Sequence, residues 1–233
     1  MLGLGIGLSA GGGGGEFTID NISGLQVWLQ NSVGVAPAQW DDSSGLGNHA
    51  IQTTVGDQGT VEDGGIAFTG GNMDFTSTIS LTSFTIFMAI EPDDAAAHSL
   101  IGSANGVDFI RINQNANNEF RSNRTGLTSL IVSHSTDFTY GGAGSGVERF
   151  VMMFRQEADN TIDIGVNADI DSYALADSSS NAITFNQIAS QSAGKGNPFP
   201  GTIYEVAIYD SNLSADDATL VMENIASRTG ITL

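Results

Sequence analysis

The rhythm of short apolar runs separated by turn residues constrains this chain most. The clearest runs are Leu25–Gln30, Ile66–Phe68, Phe84–Ile90, Val107–Ile112, Thr128–Ser133, Arg149–Arg155, Thr161–Asn167, Ile183–Ala189 and Thr202–Tyr209. Within them, Phe84, Ile86, Met88 and Ile90 alternate onto one face, and so do Phe150, Met152 and Phe154. Glycine supplies 30 residues and proline only 4, with abundant serine, threonine and asparagine between the runs. Many short strands punctuated by turn residues predict an all-β, antiparallel β-sandwich or jelly roll.

One segment departs from that rhythm. Ser214 is placed to cap a helix, and Asp216 and Asp217 fall in its first turn, where the positive end of the dipole favours them. Ala218, Val221 and Ile225 share a face at helical spacing. Arg228 and Gly230 make a stop signal. The spacing predicts a short C-terminal helix over 214–228.

Charge narrows the partners. Twenty-six acids face 7 bases, a formal charge of −19, and Lys195 is the single lysine. Such a chain repels phosphate backbones and anionic membrane surfaces, so nucleic acid is excluded as a favoured partner. No apolar run approaches the roughly 18 residues of a membrane-spanning segment, so no membrane insertion is expected. With no cysteine there is no disulfide framework, thiolate metal site or cysteine nucleophile.

The first sixteen residues read differently from the rest. Leu2, Leu4, Ile6 and Leu8 alternate with Gly3, Gly5 and Gly7, and five glycines follow at Gly11 to Gly15. In an extended strand the apolar side chains share one face, and glycine on the other lets a second backbone approach. Glycine interrupts the apolar stretch and no base precedes it, so a secretory signal is not the reading. Residues 1–16 are read as a glycine-rich N-terminal assembly arm that adds a strand to a neighbouring subunit, and 17–233 as one sandwich domain.

Several local patterns, in order, carry a family resemblance. Leu25-Gln26-Val27-Trp28-Leu29 precedes Trp40-Asp41-Asp42-Ser43-Ser44-Gly45-Leu46-Gly47-Asn48-His49-Ala50. Gly65-Ile66-Ala67-Phe68-Thr69-Gly70 and Phe84–Ile90 come next. Gly201-Thr202-Ile203-Tyr204-Glu205-Val206-Ala207-Ile208-Tyr209-Asp210 comes before Leu213-Ser214 and the helix. Together they resemble the concanavalin A-like, laminin-G-like jelly-roll superfamily, while residues 95–185 match only as generic strands. The resemblance implies two antiparallel sheets with a concave side that often binds sugars. Such domains occur on virus particles, in adhesins and in secreted polysaccharide-active proteins. An acidic, cysteine-free, glycine-rich chain with an arm looks most like a bacteriophage virion protein. The expected partners are then other virion proteins, copies of itself and cell-surface glycans. The alternative is a carbohydrate-binding module.

The residues that carry chemistry fit a non-enzyme. Glucan hydrolases that share the resemblance carry a tight Glu-x-Asp-x-x-Glu on one strand, and no such run occurs here. Glu205 shares strand parity with Ile203, Ala207 and Tyr209, which suits a paired structural acid or a binding residue. His49 is read as a turn or packing residue, and His98 and His134 have no recognisable partners in the sequence. Asn167, Asp169 and Asp171 alternate, with Asp163 in the same parity, and are candidate calcium ligands, because calcium takes carboxylate and amide oxygens. Asp41, Asp42 and Asn48 form a second oxygen-rich stretch. Candidate glycan contacts are Trp40 and Tyr140 as aromatic platforms and Asn115 in an amide-rich run. Arg111, Arg121 and Arg124 flank that run, three of the seven bases, and are placed to meet an acidic glycan or a neighbouring subunit.

Overall fold

The structure, a computed structural model, describes residues 17–113, 118–126, 129–135, 149–156, 161–174, 182–192 and 194–233. The expected arm residues Leu2, Leu4, Ile6 and Leu8, together with Asn115 and Tyr140, lie outside the described residues. In chain order the strands begin with β1 (Leu25–Leu29), β2 (Val35–Ala36), β3 (Gln39–Trp40), β4 (Ala50–Ile51), β5 (Thr60–Glu62) and β6 (Gly65–Thr69). Then come β7 (Met73–Leu81), β8 (Phe84–Pro92), β9 (His98–Gly102), β10 (Phe109–Ile112), β11 (Glu119–Asn123) and β12 (Leu130–Ser133). The series ends with β13 (Phe150–Gln156), β14 (Thr161–Val166), β15 (Asp169–Ala174), β16 (Ile183–Ile188) and β17 (Pro200–Tyr209), followed by α1 (Ala215–Thr229).

The strands form two antiparallel sheets. The first runs β15-β14-β13-β8-β17-β6-β5, and β1 pairs with the second half of β17. The second runs β12-β11-β10-β9-β16-β7-β4-β3-β2. Alternation explains how they pack. Phe84, Ile86, Met88, Ile90, Phe150, Met152 and Phe154 of the first sheet point inward against Met73, Phe75, Leu100, Ile110, Ile112, Phe120 and Phe185 of the second, all buried. The opposite face of the first sheet is also apolar, with Trp28, Phe87, Val151, Met153, Ala207 and Tyr209. It is covered by Ala218, Val221, Met222 and Ile225 of α1. This doubly buried sheet explains why β8 and β17 read as almost continuous apolar runs.

The helix forms as its sequence predicts. The Ser214 side chain accepts from the Asp217 amide at 3.1 Å, and Gly230 adopts the left-handed conformation (φ 71°) that ends helices. No helix of the described residues is long and apolar enough to cross a membrane.

One expected alignment is corrected. Ile203 and Glu205 do not share a face, because the register of β17 shifts between them at a bulge. Ile203 turns into the inter-sheet core, whereas Tyr204, Ala207 and Tyr209 join the layer beneath α1.

Candidate functional site

The sites expected from sequence separate into those used by the fold and one cluster facing away from it. Trp40 belongs to the fold. It is fully buried, and its indole N–H donates to the Gln30 carbonyl at 3.0 Å, so no ring face is available to stack on a sugar. Inward placement on β3, rather than a loop position, is the reason. Arg124 is likewise buried, with Nη2 donating to Gln156 Oε1 at 2.6 Å, so it is no surface contact.

Asp42 is held as firmly. Its carboxylate accepts from the amides of Trp28 (2.8 Å), Ser44 (2.9 Å) and Asn48 (2.9 Å) and from Ser44 Oγ (2.7 Å). His49 Nδ1 accepts from the Asp42 amide at 3.1 Å, the expected turn role. The Asp-Ser-Ser-Gly…Asn-His-Ala loop is therefore a self-satisfied polar knot that fixes β1 to the next hairpin.

The oxygens proposed for calcium are also engaged. Asn167 lies in the β14–β15 turn with φ 53°, which breaks the assumed alternation, and its Oδ1 accepts from the Val151 amide at 3.0 Å. Asp171 accepts from the Ser135 amide at 2.5 Å and from the Tyr173 hydroxyl at 3.2 Å, whereas Asp169 is exposed at the start of the edge strand. Asp163 lies on another face, ion-paired at 2.5 Å to Arg155. Among the described residues no three His, Cys, Asp or Glu side chains are gathered for a metal. Asp171 and Tyr173 instead tie the two sheet edges together, since the Tyr173 hydroxyl donates to the Ser133 carbonyl at 2.6 Å. Burial and the neighbouring Asp171 charge push the Tyr173 phenol up to about 12. His134 and His98, read as partnerless, both meet an acid: Asp171 at 3.9 Å and Asp94 at 2.5 Å.

Glu205 is fully buried beneath α1. Its carboxylate accepts from Trp28 Nε1 at 2.7 Å and from the Arg228 guanidinium. It is the structural acid of the two readings.

The cluster facing outward lies on β9, β10 and β11. Ile110, Ile112 and Phe120 enter the core, so alternation turns Phe109, Arg111, Arg121 and Asn123 to the far face of the second sheet. Arg111 and Arg121 are directly paired across the strands. Both guanidiniums sit on the Phe109 ring, with Cζ 4.7 and 5.3 Å from its centre. Gln191 Oε1 gathers donors from Arg111, Ser99 (3.0 Å) and Asn197 (3.3 Å). Arg121 Nη2 donates to Ser129 Oγ at 3.0 Å. Burial and the Arg121 charge both push the Arg111 pKa below its usual range. Phe109 and Arg111 are themselves buried, so half-buried Arg121 is the member of the trio open to an acceptor-rich or anionic visitor, with Arg111 adding like charge behind it. Asn197 also lines a neighbouring cleft of about 410 Å³ with Thr69, His98 and Pro198. A separate cleft of about 640 Å³, lined by Gly34, Val35, Gln39 and Val61, contains no basic residue.

Arg111 and Arg121 were legible as a basic concentration, but Phe109, Ser99 and Gln191 were not singled out. Phe109 carried a signal, since it alternates with Ile110 and Ile112 and shares parity with Arg111. Gln191 lies far away in sequence, and only the β9–β16 pairing brings it close.

No protein-family description matches the sequence, and no curated protein matches it. Solved structures do. The Trypanosoma rangeli sialidase matches with a TM-score of 0.59 at 12% identity, over 91% of this chain and 34% of that one. A botulinum neurotoxin serotype D/C binding domain matches with a TM-score of 0.57 at 14% identity, over 89% of this chain and 53% of that one. A heptameric SAP-like pentraxin from Limulus polyphemus matches with a TM-score of 0.52 at 10% identity, over 65% and 75%. The chain thus spans about a third of the sialidase and half of the toxin domain. At these identities the likeness is one of fold: the chain is a lectin-like, jelly-roll β-sandwich.

Proposed function

We propose that this chain is a non-catalytic, lectin-like recognition domain, exposed on the surface of a bacteriophage particle as a head decoration, fibre or tail-associated component. It contacts glycans through the outer face of its second sheet. The observation that carries the glycan reading is the Arg111–Arg121 pair on Phe109, ringed by Ser99, Gln191, Asn197 and Ser129. A guanidinium backed by a buried ring, with amides and hydroxyls around it, offers the convergent polar groups that orient a polyhydroxylated ligand. The other face of the sandwich is occupied by α1, which leaves the second sheet as the broad polar surface. A non-catalytic role is supported by Glu205, whose carboxylate is spent on Trp28 and Arg228.

The virion setting is supported by the sequence: a charge of −19, no cysteine and the alternating Leu2–Leu8 arm. The arm anchors the domain, and the sandwich faces outward. Two measurements test the reading. Screening the full chain on a glycan array should give saturable binding with no release of reducing sugar; hydrolysis would overturn the non-catalytic part. Peptide mass spectrometry of purified particles, ratioed to the major capsid protein, should detect the chain. Its absence there, with glycan binding retained, would make it a free carbohydrate-binding module.

A further inference from the structure

We infer that the β10–β11 hairpin selects a carboxylate-bearing sugar, with Arg121 as the residue that takes the carboxylate. The inference rests on the glycan reading above and deepens it. In this chain of 26 acids, most cations have found a carboxylate. Arg149 meets Asp63 and Glu91, Arg155 meets Asp163, Lys195 meets Asp57 and Arg228 meets Glu205. Arg121 is different. Among the described residues it makes no ion pair, and its protein contacts are one neutral hydroxyl, Ser129 Oγ, and the face of Phe109. Its Nε is buried and without a hydrogen-bond partner.

The same hairpin carries a second unsatisfied polar group, this one buried. Asn113 follows β10 in the left-handed conformation (φ 56°), anchored by its amide N–H to the Glu119 carbonyl at 2.7 Å. The residue is 3% exposed, yet neither Nδ2 nor Oδ1 has a partner among the described residues. Buried polar groups are nearly always satisfied, and leaving them so is costly. Arg121 is half-buried rather than buried and directly faces a second guanidinium, so it offers the charged donors that a carboxylate accepts from. A neutral sugar would leave the Arg121 fork without the planar acceptor its geometry suits. A guanidinium already seated on an aromatic ring is also preorganised, so little side-chain freedom is lost on binding.

The test titrates the full chain with sialyllactose and with a galacturonate trimer, each beside its carboxyl-reduced counterpart, at low and at physiological salt. The acidic form should bind at least about tenfold more tightly, and the preference should shrink as salt rises. Arg121→Met, which keeps the stem over Phe109, should abolish the preference, and Arg121→Lys should keep only part of it. Thermal melts of both variants check that they are folded. Equal binding of acidic and reduced forms would overturn the inference while leaving glycan recognition standing. A preference that survives in a folded Arg121→Met variant would overturn the assignment to this hairpin. Failure to bind any sugar, acidic or neutral, would overturn both readings.

Discussion

The indole nitrogen of Trp28 donates to Glu205 Oε1 at 2.7 Å, on a face of β17 sealed by α1. Arg228, from the last turn of that helix, grips the same carboxylate and lies over the Trp28 ring, 5.3 Å from its centre. One buried acid therefore joins the first strand, the last strand and the helix. Removing it strands a guanidinium and an indole N–H together. Glu205→Ala should cost about 3 kcal/mol, at the lower end for a broken buried pair because Arg228 retains some exposure. Trp28→Phe, which loses one hydrogen bond and some ring area, should cost about 2 kcal/mol. Urea unfolding measures both. A Glu205→Gln variant that stays folded and loses a sugar-processing activity would show that the acid is catalytic instead.

Asp108 sets an acid limit on stability. Burial pushes its carboxyl up, but hydrogen bonds from the hydroxyls and amides of Thr184 and Thr125 outweigh that and hold it below its ordinary 3.8. These donors lie at 2.6 to 2.8 Å and tie β16 to the turn after β11. A depressed folded value contributes stability above the unfolded pKa, about 3.9, that is lost as pH falls through the lower folded value. Asp108→Asn should therefore destabilise by about 2 kcal/mol near neutrality, with the gap closing below about pH 4. A gap that is independent of pH would contradict the assignment.

Calcium should leave the melting temperature unchanged. A specific ion that binds only the folded state raises it by mass action. Here Asn167 Oδ1 serves the Val151 amide, and Asp171 serves Ser135 and Tyr173. A rise in calcium that is reversed by a chelator, and lost in Asp171→Asn, would restore a metal site at the β14–β15 turn.

A chain that begins at Glu16 should melt with the full-length protein but lose self-association or attachment. The described core starts with Phe17 and Ile19, packed in the layer beneath α1, and the Tyr209 hydroxyl donates to the Ile19 carbonyl at 2.9 Å. Analytical ultracentrifugation and thermal unfolding separate the two effects. Equal assembly with and without residues 1–16 would refute the arm.

Much of the fold was readable because period-two alternation, turn residues and a well-marked helix stop all agreed, as in Phe84–Ile90 and Ser214–Gly230. The strand β7 was missed, although Met73, Phe75, Ile79 and Leu81 alternate, because Thr76, Ser77 and Thr78 dilute its hydrophobicity. The bulge in β17 was invisible, since a one-residue slip leaves no mark in composition. Polar residues were the least legible. Asp42 and Asn167 read as free ligands because sequence counts oxygens but not the amides that donate to them. Trp40 read as a surface ring because its neighbours Asp41 and Asp42 are polar. Arg111 and Arg121 stood out as a pair, but the aromatic ring they share and Gln191 beside Arg111 depend on strand register and long-range pairing.

The most direct test maps the bound sugar. Isotope-labelled full-length protein, titrated with its best-binding glycan and followed by amide chemical shifts, should show changes concentrated on β9, β10, β11 and residues 190–197. Changes centred on α1 and β1, or on the cleft of Gly34, Val35 and Val61, would contradict the account, as would a glycan screen with no ligand to titrate.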